Sequence, residues 1–381
     1  MRPALIMLFV ATVLASISID SLALQITQIE FDLHLASGGT DTYTFQVINN
    51  ESDPQDVTVY IGDWTRTSSG ENDFLILNSA RWLFPREFHA GDELDIKYHA
   101  IIPHDSITVN GTYATGKPSA QGRVVGEEHL LSANNEIASE PSDGLASITR
   151  TVFFTDTDGT ITANLHMHAL QDFEGLRIDE TFSSHVDIQS SDDAGGQFAA
   201  VSSSCGDWIT TSPQAFRIPA GAAQPVSFRI DVPSGASGMY WAMIFVEGSP
   251  RPQQREGATV LAIERFGVKI YETIPGSEVL SGEVKSVRKV GNDPLAFNVT
   301  FTNTGSVQLH PLGTMDIINQ RGDTIRALPI DEFPILPGNE RILSITDNSE
   351  SPLPPGIYRA LVTIDYGGDT LVGGIRDFLL R

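Results

Sequence analysis

Apolar and polar side chains alternate residue by residue along most of this chain, and Gly, Pro, Asn or Asp interrupts the alternation at short intervals. Successive side chains of a β-strand point to opposite faces, so the pattern describes half-buried strands joined by turns. Residues 42–48 form one such segment, ending in Asn49-Asn50; residues 56–61, 94–102, 226–232 and 295–301 repeat it. Long stripes of helical period are absent, which excludes a helix bundle. Gly39-Thr40-Asp41, Asp158-Gly159 and Arg321-Gly322-Asp323 read as hairpin turns, because Gly supplies the positive φ of a tight turn.

A weak internal repeat organises these strands. Trp82, Pro85, Phe88, Gly91, Pro103 and Gly111-Thr112-Tyr113 recur as Trp208, Pro213, Phe216, Gly221, Pro233 and Gly238-Met239-Tyr240. A third, more degenerate copy runs through Phe333, Pro337-Gly338, Pro355 and Gly356-Ile357-Tyr358. Each unit reads as a turn, an alternating strand, a Pro-containing corner and a Gly-x-Tyr that opens the next strand. That order suits the later half of an immunoglobulin-like β-sandwich. One sandwich per copy gives an all-β chain of tandem immunoglobulin-like domains, with expected borders at 24–145, 146–275 and 276–381. Residues 114–146, with Lys117-Pro118-Ser119 and Asn134-Asn135, read as a polar linker carrying one short helix near 127–133.

Charge narrows the partners. The 381 residues carry 48 acidic against 24 Lys and Arg side chains, a net charge of −24. Nucleic acid and anionic lipid bind through basic side chains and are not expected here. Lys occurs only at 97, 117, 269, 285 and 289, so Arg dominates the basic set. An acidic, lysine-poor surface suits either a salt-adapted source or an acidic extracytoplasmic protein. The second compartment agrees with the start of the chain. Arg2 precedes an apolar run over 4–15, and Ser21-Leu22-Ala23 places small residues where a signal peptidase reads, so a signal peptide over 1–23 with cleavage after Ala23 is expected. No later segment approaches the ~20 apolar residues of a membrane span, and no cysteine follows the apolar run to carry a lipid. Cys205 stands alone and cannot form an internal disulfide.

Catalytic constellations fail on inspection. Gly111 to Lys117 has the spacing of a phosphate-binding loop, but Pro118 occupies the position of the magnesium-holding hydroxyl. His166 and His168 project from one face of a strand without an evident third metal ligand, and read as surface or half-buried histidines. Asp156-Thr157-Asp158-Gly159 opens like a calcium loop but lacks its downstream glutamate, and a hairpin turn explains it. There is no Gly-x-Ser-x-Gly and no His-Glu-x-x-His, Gly235-Ala236-Ser237-Gly238 reads as a turn, and the acidic pair Asp192-Asp193 sits in a loop composition. Arg321-Gly322-Asp323 falls between two strand segments, so the turn reading outweighs an adhesion tripeptide. Asn50, Asn110 and Asn298 head Asn-x-Ser/Thr sequons. Neither an enzyme nor a cofactor is expected.

The stretch from Gly238 to Pro275 is the most specific. Tyr240-Trp241-Ala242-Met243-Ile244-Phe245-Val246-Glu247, a polar loop over 248–257 and a long strand from Thr259 to Tyr271 containing Lys269 resemble the last hairpin of the N-terminal domain in periplasmic pilus-assembly chaperones of the chaperone-usher (PapD-like) type. Residues 29–50 and 148–154 resemble the first strands of that family. The resemblance covers about a third of the chain. It implies immunoglobulin-like domains meeting at a cleft, a basic pair anchoring a subunit's terminal carboxylate, and a last strand lent to an incomplete subunit fold by β-strand addition. On that basis Lys269 matches the anchoring lysine, Arg150 is its candidate partner, and Leu261 and Ile263 are candidate donor residues. The third module and the slip in alternation at Glu264-Arg265 depart from the family. An ordinary sheet edge with Lys269 as a protecting charge is the competing reading of the hairpin.

The expectation is therefore an exported protein-binding protein of the periplasm or cell envelope, chaperone-like toward secreted or surface subunits, with no membrane insertion after leader cleavage. The alternative is a structural or adhesive envelope protein with tandem immunoglobulin-like modules.

Overall fold

The computed structural model describes all residues except 1–23, 102–106, 116–124, 132–135, 140–144, 155–159, 183–185, 193–194, 202, 256–257 and 350. The chain begins with β1 (Leu24–Ile26), β2 (Glu30–Leu33), β3 (Thr40–Asn49), β4 (Gln55–Arg66) and β5 (Asn72–Ile76). There follow β6 (Ser79–Phe88), β7 (Glu93–Ile101), β8 (Ile107–Thr115), β9 (Val125–Leu131) and β10 (Glu136–Ser139). Next come β11 (Ala146–Phe154), β12 (Thr160–Ala169), β13 (Phe173–Phe182), β14 (Asp187–Asp192) and β15 (Gln197–Ala200). After a 3-10 turn at Gly206–Trp208 come β16 (Ile209–Ser212), β17 (Ala215–Ile218), β18 (Ala223–Asp231) and β19 (Met239–Gly248). The hairpin β20 (Arg251–Arg255) and β21 (Ala258–Ala262) leads into β22 (Arg265–Thr273). The last group is β23 (Gly282–Asn292), β24 (Leu295–Asn303), β25 (Leu312–Ile318), β26 (Thr324–Ile330), β27 (Glu340–Thr346), β28 (Gly356–Asp365) and β29 (Val372–Leu380).

These strands build three two-layer sandwiches, as the alternation requires. The first pairs the sheet β1-β3-β18-β16 with the sheet β17-β4-β19-β22-β2. Its core holds Phe45, Val47, Val59, Phe228, Ile244 and Ile270. The second pairs β15-β6-β13-β8-β9 with β10-β11-β12-β7-β14 around Trp82, Tyr98, Ile96, Leu165 and Met167. The third pairs β23-β24-β27 with β26-β25-β28-β29 around Phe297, Phe301, Met315, Ile317 and Val362. Tyr358 makes the corner expected of Gly-x-Tyr in this last sandwich, its hydroxyl donating to the Pro354 carbonyl at 2.7 Å.

The proposed borders of the first two domains are corrected by strand pairing. β3 pairs with β18 and β4 with β19, whereas β6 and β8 pair with β13 and β7 with β12. The border at 145/146 therefore cuts both sandwiches. The first sandwich is discontinuous, and the second is inserted whole between β5 and β16. The physical reason is that the repeat falls on the first strands of one sandwich, β6 to β8, and on the later strands of another, β16 to β19, so its spacing does not mark where a sandwich begins. In each copy the turn glycine has positive φ (Gly91 92°, Gly221 66°, Gly338 74°), but the copies differ elsewhere: Trp82 lies in β6 and Trp208 in a 3-10 turn, and Gly111 lies inside β8 whereas Gly238 precedes β19.

The helix expected near 127–133 is also overturned: residues 125–131 form β9, paired with β8. Arg321-Gly322-Asp323 is the turn between β25 and β26, with Gly322 at φ 88°. The leader, Asp156 to Gly159 and Lys117-Pro118 lie outside the described residues.

Residues 241–246 are apolar without interruption, and all six are buried. The even positions face the first core, and the odd positions face a second cluster in which Trp64, Trp241, Met243, Phe245 and Tyr271 meet Val307 and Leu336 of the third sandwich. β19 is thus covered on both faces, which is why its alternation is lost. The seam is reinforced by Met239 N–H donating to the Ser306 carbonyl (2.8 Å), Ile342 N–H to the Ser68 carbonyl (2.8 Å) and the Asn339 amide to Thr65 Oγ1 (3.1 Å).

Candidate functional site

The outer face of β4, β19 and β22 carries the candidate site. Side chains two apart share a face, so Trp64 and Arg66 of β4 and Lys269 and Tyr271 of β22 all rise toward the third sandwich. Trp64 is fully buried and forms a floor. Lys269 Nζ lies 4.9 Å from the centroid of its ring and Arg66 Cζ 5.5 Å, so two cations share one indole, an arrangement favoured by the ring quadrupole. Arg341, from β27 of the third sandwich, completes the group; its guanidinium packs on Gly70, filling the space that a Cβ there would occupy.

The electrostatics are those of an uncompensated cationic group. Burial, and then the Arg66 charge, push both Lys269 and Arg341 below their ordinary pKa, while Glu30 opposes the shift at Lys269. Burial pushes the Tyr271 hydroxyl up to about 12. Arg66 Nε and Arg341 Nε and Nη1 are buried without a hydrogen-bond partner. Among the described residues no carboxylate lies within ion-pair distance of the three cations. In a chain of net charge −24 such a group is costly unless an anion satisfies it.

A strand edge leads away from the cations. β2 runs parallel to β22 only from Glu30 opposite Lys269 to Leu33 opposite Glu272. Residues 265–268 have no strand on that side among the described residues. Beyond them β20 and β21 form a separate two-stranded ribbon, with Leu261 opposite Pro252 and, among the described residues, no strand on the outer edge of β21. Ile263, 51% exposed, lies in the break between β21 and β22, where the alternation slips. From Lys269 to Ile263 this edge spans about 20 Å of extended chain. Across β19 on the same sheet face, Tyr60 of β4 and the half-exposed Phe74 of β5 pack on the buried Phe245.

Of the residues singled out in the sequence, Lys269, Ile263 and Leu261 fall on this one edge. Arg150 does not. It sits on β11 of the inserted sandwich, between Ile137 and Leu165, while the strand beside Lys269 is β2, with Glu30 opposite. The resemblance at 148–154 reflects a similar strand pattern in a different sandwich. Arg66 and Arg341 were not picked out. Arg66 had a weak signal, its two-residue spacing from Trp64; Arg341 had none, since its approach depends on the docking of the third sandwich.

No protein-family model matches this chain, and no curated protein matches it in sequence. Among solved structures it is similar to that of a chaperone–tip adhesin complex of CFA/I fimbriae biogenesis (9% identity, TM-score 0.35, 92% of this chain and 97% of the other). It is similar also to the class 5 fimbriae chaperone CfaA (9%, TM-score 0.34, 93% and 98%). A third is the CsuC–CsuE chaperone–tip adhesion subunit pre-assembly complex from the archaic chaperone-usher Csu pili of Acinetobacter baumannii (9%, TM-score 0.33, 93% and 98%). The likeness is structural, at low identity.

Proposed function

We propose that the protein is a non-enzymatic, chaperone-like binder of secreted or surface protein subunits, acting by β-strand addition in the periplasm or cell envelope. The observation that carries this reading is the junction of an open strand edge with a group of cations that lack carboxylate partners among the described residues. A strand added beside residues 265–268 abuts the end of β2, which places its chain terminus at Lys269, Arg66 and Arg341. Backbone bonds to the open edge supply affinity, and the three cations take the terminal carboxylate. Lys269 keeps the role implied by its resemblance, and Arg66 and Arg341 take the one expected of Arg150. Leu261 and Ile263 are proposed as donor positions.

The test compares two synthetic peptides of alternating apolar sequence, one with a free C-terminal carboxylate and one amidated. The carboxylate form is expected to bind at least about tenfold more tightly, and Lys269→Ala is expected to erase the difference. Equal binding of the two forms would reject the anchor. Binding unaffected by Leu261→Asp would reject the donor edge.

A further inference from the structure

We propose that the outer face of the inserted sandwich binds a divalent transition-metal ion of the zinc, nickel or copper class through His166 and His168. On β12, Ala163, Leu165, Met167 and Ala169 are buried in the core, so Thr162, Asn164, His166 and His168 face outward. The two histidines are neighbours on that face, about 7 Å apart along the strand. That separation lets two imidazoles converge on one ion, each at the ~2.0–2.1 Å of a metal–nitrogen bond.

The structure adds what the spacing lacks. The β12–β7 register sets His166 opposite Asp95 and His168 opposite Glu93. Asp95 Oδ1 lies 2.9 Å from His166 Nδ1, and Glu93 Oε1 lies 3.9 Å from His168 Nδ1. A carboxylate on Nδ1 holds the proton there and leaves Nε2 as a free donor pair, the arrangement that second-sphere carboxylates impose on metal-bound histidines. His166 thus carries an orienting carboxylate, His168 has Glu93 at ion-pair distance, and the two acids offset the charge of a bound cation. On the other flank the strand partners are Ser147 and Thr149, too small to cover the rings. Both histidines are well exposed, with side chains at 38% and 41%. Among the described residues no third His, Cys or carboxylate completes a closed cluster. The ion therefore keeps water in its remaining positions, and imidazole donors select zinc, nickel or copper over calcium or magnesium.

The experiment is calorimetric titration of chelator-treated full-length protein with ZnCl2, NiCl2 or CuCl2 at pH 7.5, with CaCl2 as comparison. One site is expected for at least one of the three ions and none for calcium. His166→Ala/His168→Ala should abolish it, and Asp95→Asn should weaken it about tenfold. The replaced groups are exposed, so thermal melting should be unchanged in all variants. A copper-loaded sample should show two-nitrogen coupling in its electron paramagnetic resonance spectrum. The absence of binding by all three ions, or undiminished binding in the double variant, would overturn the proposal.

Discussion

Ser204 donates its hydroxyl to the buried carboxylate of Asp63 at 2.5 Å, at the point where the chain returns from the inserted sandwich. The other oxygen of Asp63 accepts the Asn78 backbone N–H at 2.9 Å, where the chain leaves for that sandwich. One carboxylate on β4 thus ties both crossings, and Asn78, with φ 57°, turns the outgoing chain. Its side-chain amide reaches Asp207 at 3.2 Å.

Asp63→Ala should therefore cost more than a surface acid. It strands a buried hydroxyl and a buried N–H, and a loss of about 3 kcal/mol in unfolding free energy is expected from chemical denaturation. Ser204→Ala should cost about 1 kcal/mol. Hydrogen exchange should quicken at Asn78 and Gly206 in Asp63→Ala. An unchanged denaturation midpoint would show that the crossings are held by packing alone.

Arg341→Ala should separate stability from binding. Arg341 is half-buried beside Arg66 with, among the described residues, no acid to pair with, so removing it relieves repulsion, and the melting temperature should hold or rise. Affinity for a free-carboxylate peptide should fall about tenfold or more. A drop of several degrees without loss of affinity would assign Arg341 to packing of the seam.

Leu336 is fully buried between the first and third sandwiches, with Trp64, Met239 and Val307. Leu336→Asp places a charge in that apolar seam without entering the first or third core. Small-angle scattering should report a larger radius of gyration, and calorimetry should resolve a separate transition for the third sandwich. A single transition and an unchanged radius would mean that the backbone bonds at Ser306 and Ser68 suffice.

Glu272 should make stability depend on pH. It is fully buried, and Leu35 N–H donates to Oε1 at 2.7 Å while Oε2 has no partner. Burial, with a smaller push from Asp32, raises its pKa above 4.5; the Leu35 bond and His34 pull the other way. The native state thus holds this proton to higher pH than the unfolded chain does. Its contribution to stability is complete below pH 4.5 and declines as pH rises through the raised native value. Glu272→Gln should melt about 3 °C higher at pH 7 and no higher at pH 4. An equal change at both values would exclude ionisation as the cause.

Much of the architecture was legible. Gly91, Gly221 and Gly338 recur at the head of alternating strands because a positive-φ turn demands glycine, and each copy did mark a sandwich. Lys269 and Ile263 were legible because both lie on one continuous stretch of chain. The six-residue apolar run at 241–246 also signalled a strand covered on both faces, although not what covers it. Arg150 misled because its strand resembles a first strand locally while pairing with β10 and β12.

What the residue order determined alone is whatever depends on neighbours within a few positions: strand alternation, glycine turns and the excess of negative charge; the loop expected over 248–257 instead holds β20, and the long strand expected from Thr259 to Tyr271 breaks into β21 and β22. Nesting of one sandwich inside another, and the meeting of Lys269, Arg66 and Arg341 over Trp64, were decided only in three dimensions. Strand pairing is chosen by burial and backbone bonding between segments up to 239 residues apart, as in Glu30 opposite Lys269, and no local pattern encodes which partner a strand will take.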